Sequence, residues 1–105
     1  MSWYKVTLPL KDCGINGRGR ELQDAFMAIF MTYAGPLDAA MFSERSEDFE
    51  EVFFYFSPGA ARIATTLIES YKAVPCPAPL RENVALAAGD ADALETLLPS
   101  RDQNN

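Results

Sequence analysis

The sequence predicts a single α+β domain, and three observations support this class. Residues 3–10 alternate between apolar and polar side chains, which is the period of a half-buried strand. Residues 21–34 carry apolar side chains at helical spacing, and residues 51–56 return to a strand pattern that is apolar on both faces. With 105 residues, the chain is long enough for one core and too short for two. We therefore expect one domain over residues 1–100 and a frayed polar tail over residues 101–105.

The first strand and the first helix follow directly from these periods. Lys5 and Thr7 lie on the polar face of the strand. The residues on the other face are apolar: Tyr4, Val6, Leu8 and Leu10. Three glycines break regular structure in the loop over residues 13–19. The helix over residues 21–34 ends at the glycine-proline pair 35–36, because proline cannot continue a helix.

A hairpin and a second helix come next. Residues 39–43 and 51–56 are predicted as strands two and three, joined by a turn rich in acidic residues. Ser57 is placed to cap the following helix, with Pro58 at its first position. The apolar stripe of this helix ends at Tyr71.

The last third of the chain is predicted as a proline loop, a strand and a short helix. Residues 75–79 alternate proline with other residues and are expected to be extended. Residues 83–88 form the fourth strand, and a last helix runs from Asp90 to the residue before Pro99. The order βαββαβ is typical of the ferredoxin-like sandwich, a four-stranded antiparallel sheet in order 4-1-3-2 with both helices on one face.

The third strand gives the main functional prediction, because it is apolar on both faces. Phe53 and Tyr55 point to one side of the sheet, and Val52, Phe54 and Phe56 point to the other. One set meets the helices, and burial of each such side chain stabilises by roughly 1.5–3 kcal/mol. The other set therefore needs its own cover, either a second copy of the chain or the last helix. We expect the second copy, since twofold homodimers are the commonest oligomers.

Two candidate ligand sites follow from residue type and position. The glycine-rich segment before the first helix carries arginines that suit a carboxylate or phosphate, and the predicted topology places it near the proline loop. The predicted anion-binding residues are Arg18, Arg20 and Arg81. The alternative is a surface loop without a ligand, because no phosphate-binding motif is present.

The second candidate is an apolar pocket between the sheet and the helices. Aromatic and methionine side chains suit such a pocket. Its predicted lining is Phe26, Met27, Phe30, Met31, Tyr33 and Phe54. At helical and strand spacing such residues more often form an ordinary core, which is the interpretation we favour over a pocket.

Cysteine and histidine content limits the chemistry. The chain has two cysteines and no histidine, so it lacks the commonest general base and the ligands of an ordinary closed zinc site. We predict no metal and no cofactor. The predicted topology brings Cys13 and Cys76 to the same end of the sheet, where they form a pair or, as we favour, stay independent thiols.

These observations favour a non-catalytic binding or interaction module that forms a homodimer and engages a small apolar or anionic ligand or a protein. Nine basic against fifteen acidic residues give a net charge of −6, which disfavours nucleic acids and anionic membranes as partners. The sequence contains no long apolar run, so we expect a cytoplasmic protein. One alternative is a small cofactor-free enzyme acting on an apolar or carboxylate-bearing metabolite. In this enzyme Arg18 or Arg20 would hold an anion, and Tyr33, Tyr55 or a carboxylate would move a proton. Another is an acidic protein that masks a basic partner.

Overall fold

The computed structural model describes residues 2–32, 39–80 and 85–89. Within these ranges, strands and helices alternate in a pattern that confirms the α+β class with an antiparallel sheet. In chain order the elements are β1 (Trp3–Pro9), α1 (Arg18–Thr32), β2 (Ala40–Arg45), β3 (Glu51–Phe56), α2 (Pro58–Ile63), α3 (Thr65–Ser70), β4 (Val74–Cys76) and β5 (Ala85–Gly89). A single 3-10 turn, Leu10–Asp12, follows β1.

The sheet has five antiparallel strands in the described part of the chain, in the order β4-β1-β3-β2-β5. The predicted fourth strand, residues 83–88, overlaps β5, which pairs with β2 at one edge of the sheet. The position beside β1 is taken by β4, three residues within the segment that we predicted as a loop. The sequence therefore predicted the fourth strand correctly as an element but placed it wrongly, beside β1 and not beside β2. The predicted last helix lies outside the described residues.

Register fixes which side chains share a face. On β3, Phe54 lies beside Val6 of β1, and Phe56 lies beside Met41 of β2. We call this side the helix face, because its residues form the main core together with residues of α1 and of the α2–α3 segment. On the strands β1, β2 and β3 the helix face consists of Tyr4, Val6, Leu8, Met41, Ser43, Arg45, Val52, Phe54 and Phe56.

The core under the helices is closely packed. Leu22 and Phe26 of α1 are fully buried, and the Phe26 ring meets the Phe56 ring edge to face with centroids 5.6 Å apart. Ala60 and Ala64 belong to the same buried cluster, so the α2–α3 segment packs on it as well. Both helical layers thus lie on one side of the sheet.

The second helix is bent and not continuous. Ser57 caps it as predicted, since its Oγ accepts a hydrogen bond from the Ala60 N–H at 3.2 Å and also one from the Ala40 N–H at 2.9 Å. At Ala64, with φ −116° and ψ 37°, the helix divides into α2 and α3. The Ala64 N–H still bonds to the Ala60 carbonyl, and the Ile68 N–H to the Ala64 carbonyl, so the apolar stripe keeps its orientation.

Candidate functional site

The side of the sheet opposite the helices carries the candidate site. We call it the open face and define it by the residues that alternate with those of the helix face. The open face consists of Trp3, Lys5, Thr7, Phe42, Glu44, Phe53 and Tyr55. The structure therefore assigns the two sets of β3: Val52, Phe54 and Phe56 meet the helices, and Phe53 and Tyr55 do not.

One end of the open face is already buried. Trp3 stacks on Phe42 with ring centroids 5.6 Å apart and an interplanar angle of 27°. Trp3 is 7% exposed and Phe42 is 0% exposed. Cys76, the last residue of β4, and Ala78, in the segment that leaves β4, pack against this stack. The chain leaving β4 therefore passes over the open face here.

The other end of the open face is only half-buried, and we call it the aromatic patch: Lys5, Glu44, Phe53 and Tyr55. The Phe53 and Tyr55 rings meet edge to face with centroids 6.4 Å apart. The Lys5 ammonium lies 4.7 Å from the centre of the Phe53 ring, which is a cation–π distance. The Tyr55 hydroxyl donates a hydrogen bond of 3.0 Å to Glu44 Oε2. The patch is an apolar centre with one positive and one negative side chain beside it.

Tyr55 is held as a neutral phenol. Burial raises the pKa of its hydroxyl, and the hydrogen bond to Glu44 and the negative charge of that carboxylate raise this pKa further. At neutral pH Tyr55 is a hydrogen-bond donor and not a base. Tyr55 was one of the groups that the enzyme alternative offered for moving a proton, and this environment disfavours Tyr55 as a base.

The two cysteines lie at opposite ends of the sheet, which corrects the predicted topology. Cys76 pairs in register with Trp3 at the start of β1, whereas Cys13 follows the end of β1 and its Sγ contacts the Pro9 carbonyl at 3.5 Å. Both are free thiols. Burial raises the pKa of both, with Asp12 raising that of Cys13 further and Lys5 partly offsetting the effect at Cys76. Both thiols are therefore mainly protonated at neutral pH, which disfavours nucleophilic chemistry.

Two of the predicted anion-binding arginines, Arg18 and Arg20, make contacts with different side chains. The Arg18 guanidinium carbon lies 5.3 Å from the centre of the Tyr71 ring. Arg20 pairs with Asp24 along α1, with 3.0 Å between Nε and Oδ1. Arg81 lies outside the described residues.

The glycines between these arginines have a packing role. A Cβ atom on Gly17 would lie 2.1 Å from the Asp12 carbonyl oxygen, and one on Gly19 would lie 2.8 Å from Cys13 Sγ. The first turn of α1 thus approaches the 3-10 turn too closely for any side chain at these two positions. The glycine spacing that suggested an anion site is explained by this close approach.

The described residues among the six predicted to line an apolar pocket lie in two different environments. Phe26 and Phe54 are buried in the main core, and Phe30 packs against it. Met27 and Met31 are 39% and 72% exposed, on the outer side of α1. Tyr33 lies outside the described residues. The structure gives these aromatic residues the role of core, and it separates the methionines from them.

Two clefts border the described part of the chain. One of about 480 Å³ lies between the start of β1 and the α2–α3 segment and includes Tyr4, Arg62 and Glu69 in its wall. The other, of about 520 Å³, lies at the far end of β1 between Leu10 and Phe49. Neither contains a residue that the sequence indicated as a site.

The acidic turn between β2 and β3 is internally bonded. The Ser46 hydroxyl donates to Asp48 Oδ1 at 2.6 Å, and the same oxygen accepts the Glu50 N–H at 3.0 Å. The bond from Ser46, followed by that from the Glu50 N–H, lowers the pKa of Asp48. The Asp48 carboxylate therefore stabilises the turn in which it lies.

Sequence reasoning missed Lys5 and Glu44 as parts of the site. The signal was present, because Lys5 alternates with the apolar residues of β1 and must share a face with either Phe54 or Phe53. Only the register of β1 and β2 against β3 shows that both charged residues flank the aromatic pair.

Among the described residues, no group of three or more acidic, cysteine or histidine side chains could hold a metal ion. No helix in these ranges is long and apolar enough to cross a membrane. Comparisons of the sequence with models of known protein families, with curated proteins and with solved structures give no match.

Proposed function

We propose that this chain is a non-catalytic interaction module that associates with a second copy of itself through the open face. The observation that carries the proposal is the aromatic patch on the central strand β3, where Phe53 and Tyr55 remain half-buried while their neighbours on the helix face are closed off from solvent. A second copy would bury both rings.

The composition of the patch fits a protein partner. Aromatic side chains bury large areas with little loss of rotamer freedom, and they are enriched at protein interfaces. Lys5 and Glu44 border the rings and supply a polar rim. A small apolar ligand or an anion remains an alternative occupant, and either would compete with dimerisation for the same surface.

We infer that the domain is a variant of the ferredoxin-like sandwich. The support is the order of its first four strands, β4-β1-β3-β2, together with helices on one face only. In this variant the fourth strand is reduced to three residues, and β5 is added beside β2. The cytoplasm is the proposed location, supported by the two free thiols.

The test is the oligomeric state of the full chain, measured by sedimentation velocity over a concentration series. We expect a concentration-dependent dimer for the natural sequence and a monomer for Phe53→Lys, because a charge at the centre of the interface would be desolvated without a partner. The matched control is Met31→Lys, which places the same charge on the exposed side of α1 and should leave the dimer intact. Circular dichroism checks that both variants fold.

A natural sequence that stays monomeric to about 100 μM, a concentration above the Kd of ordinary specific dimers, would contradict the proposal. Equal dissociation by both variants would also contradict it, because the open face would then not be the contact.

A further inference from the structure

A cleft of about 520 Å³ lies at the end of β1, beside the turn between β2 and β3. It is lined by Pro9, Leu10 and Lys11 on the β1 side and by Phe49 and Glu50 on the side of the turn. The Leu10 N–H donates a hydrogen bond of 2.8 Å to the Glu50 carbonyl, so the backbone joins the two walls. The cleft is therefore present before any partner binds, and its volume is that of an ordinary binding site.

Phe49 places a large apolar side chain in water at this cleft. It is 62% exposed, whereas Leu10 in the facing wall is partly buried against the main core. The Phe49 backbone has a φ of 59°, in the left-handed region that bulky residues rarely adopt. Glycine or asparagine would form the same turn at less cost, so the turn does not require a phenylalanine. A partner that covers the Phe49 ring would gain the free energy of its burial.

The charges around the cleft are mainly negative. Residues 46–51 contain four acidic side chains and no basic one, and Lys11 is the basic residue that lines the cleft. Glu47, Glu50 and Glu51 are exposed. Within the described ranges, no lysine or arginine nitrogen lies within 4 Å of these three carboxylates. The cleft is thus an apolar opening with a negative border.

This charge distribution decides between the possible occupants. A second copy docked cleft to cleft would bring two acidic turns together, and juxtaposed like charges oppose association. Nucleic acids and anionic membranes would be repelled for the same reason. A protein segment that carries basic side chains around an apolar one matches both the opening and its border.

We propose that this cleft binds a basic segment of another protein. An apolar side chain of the partner enters between Leu10 and Phe49, and lysine or arginine side chains beside it pair with the glutamates of the turn. The contact goes beyond the one made through the open face, because Phe49 lies on the turn before β3. The chain thus has two interaction surfaces, one for a second copy and one for a basic partner.

Two synthetic peptides test the cleft. Both alternate lysine with glycine, and they differ only in the central residue, which is leucine in one and glycine in the other. The natural chain should bind the leucine peptide at least about tenfold more tightly, as expected for burial of one leucine side chain. Phe49→Gly should abolish this difference, because the cleft loses a wall while glycine keeps the positive φ of the turn. Fluorescence anisotropy of the labelled peptides at low salt measures the four affinities.

Matched variants separate the roles of the ring and of the charge. Lys72 also has a positive φ, 56°, and does not line the cleft, so Lys72→Gly should keep the full preference for the leucine peptide. Glu50→Gln should weaken both peptides and leave the preference unchanged. Glu21→Gln makes the same charge change at an exposed residue of α1 and should weaken them less. Raised salt should weaken both peptides, because exposed charges are screened. Circular dichroism checks that each variant folds.

Several results would overturn the proposal. Equal affinity of the natural chain for the two peptides would mean that general attraction to the acidic turn explains the binding, and no binding to either would exclude the site. A preference for leucine that persists in Phe49→Gly would place the leucine elsewhere. Equally tight binding of a leucine peptide with serine in place of lysine would indicate an apolar ligand and not a basic partner.

The occupant is also tested by sedimentation velocity. A natural dimer that Phe49→Gly dissociates would show that a second copy occupies the cleft, which would overturn the basic partner. The dimer proposed at the open face is tested by Phe53→Lys and not by the peptides, so the two proposals can fail separately.

Discussion

The helix face and the open face of the sheet share a strand and a similar set of residue types, yet they differ in how much of that surface is closed. On the helix face, Phe54 and Phe56 are 2% and 0% exposed. On the open face, Phe53 and Tyr55 are half-buried. Because these residues alternate along β3, the difference arises from what lies above each face and not from the apolar character of the strand.

The open face reduces its exposure by contacts among its own side chains. The Lys5 stem lies along the sheet with its ammonium on the Phe53 ring, so an amphipathic side chain covers part of the apolar surface. The Tyr55 hydroxyl donates a hydrogen bond to the Glu44 carboxylate. These contacts cover part of the patch and leave Phe53 and Tyr55 partly exposed.

The largest expected difference between the faces is in the cost of removing an aromatic ring. Phe54→Ala should lower the free energy of unfolding by about 3–5 kcal/mol, because it leaves a cavity in the main core. Phe53→Ala, one residue earlier on the same strand, should cost about 1 kcal/mol. Urea denaturation at a protein concentration low enough to keep the chain monomeric measures both values.

The same pair of variants also tests the open face itself. If Phe53→Ala cost as much as Phe54→Ala in the dilute chain, the ring would be buried within the monomer, and the distinction between the faces would be lost. If the chain dimerises as proposed, the effect of Phe53→Ala should increase at high concentration, because association would then stabilise the natural chain.

Ser57 lies where the sheet meets the helical layer, and its removal should have the next largest effect. Its Oγ accepts hydrogen bonds from the Ala40 and Ala60 N–H groups, and the side chain is fully buried. Ser57→Ala removes the helix cap and leaves a buried donor on β2 without this acceptor, so we expect a loss of about 2–4 kcal/mol.

Thr65→Ala is the control for Ser57→Ala. The Thr65 hydroxyl donates to backbone carbonyls on an exposed turn, and its loss should change stability by less than about 0.5 kcal/mol. Equal unfolding midpoints for the two variants would mean that Ser57 does not join the layers.

Much of the helix face could be predicted from sequence, because it depends on local signals. The period of β1, the stripe of α1, the hairpin and the Ser57 cap all reappear in the structure. The start of α1 was placed three residues too late, since Gly17 just before it and Gly19 in its first turn suggested a loop. Their close approach to Asp12 and Cys13 is a tertiary contact that no local pattern shows.

The edges of the sheet could not be predicted in the same way. Pro75 stands between two residues of β4 and pairs with Tyr4, which a sequence pattern reads as a loop. Proline is tolerated at an edge strand because no neighbour requires its missing N–H. Once β4 occupies this edge, the later strand β5 is left to pair with β2, and Cys76 moves to the end of the sheet opposite Cys13. One edge strand therefore accounts for the errors in both topology and thiol placement.

The ionisation of Tyr55 offers a pH test of the open face. Burial and Glu44 raise the pKa of Tyr55 in the folded state above its ordinary value of 10.0. A raised pKa means that the folded chain holds this proton more tightly than the unfolded chain does. The resulting stability is fully present below about pH 10 and falls as pH rises above that value.

Ultraviolet difference titration of the phenols measures this shift. The late-ionising tyrosine should disappear in Tyr55→Phe, which serves as the assignment control. Glu44→Gln should lower the Tyr55 pKa part of the way, because burial, the largest cause, remains. No change in Glu44→Gln would indicate that the negative charge of Glu44 does not contribute to the raised pKa of Tyr55.

The smallest predicted effect is the coupling between Lys5 and Phe53. A double-mutant cycle with Lys5→Gln and Phe53→Leu should give an interaction free energy of about 0.5–1 kcal/mol, as expected for a partly exposed cation–π contact. The matched cycle combines Lys5→Gln with Phe30→Leu, whose ring lies on the helix side, and should be additive within about 0.3–0.5 kcal/mol. Both cycles are measured by urea denaturation of the dilute chain. If the Lys5–Phe53 coupling vanished in the dilute chain, the Lys5 ammonium would not lie on the Phe53 ring in solution, which would contradict the contact seen in the structure.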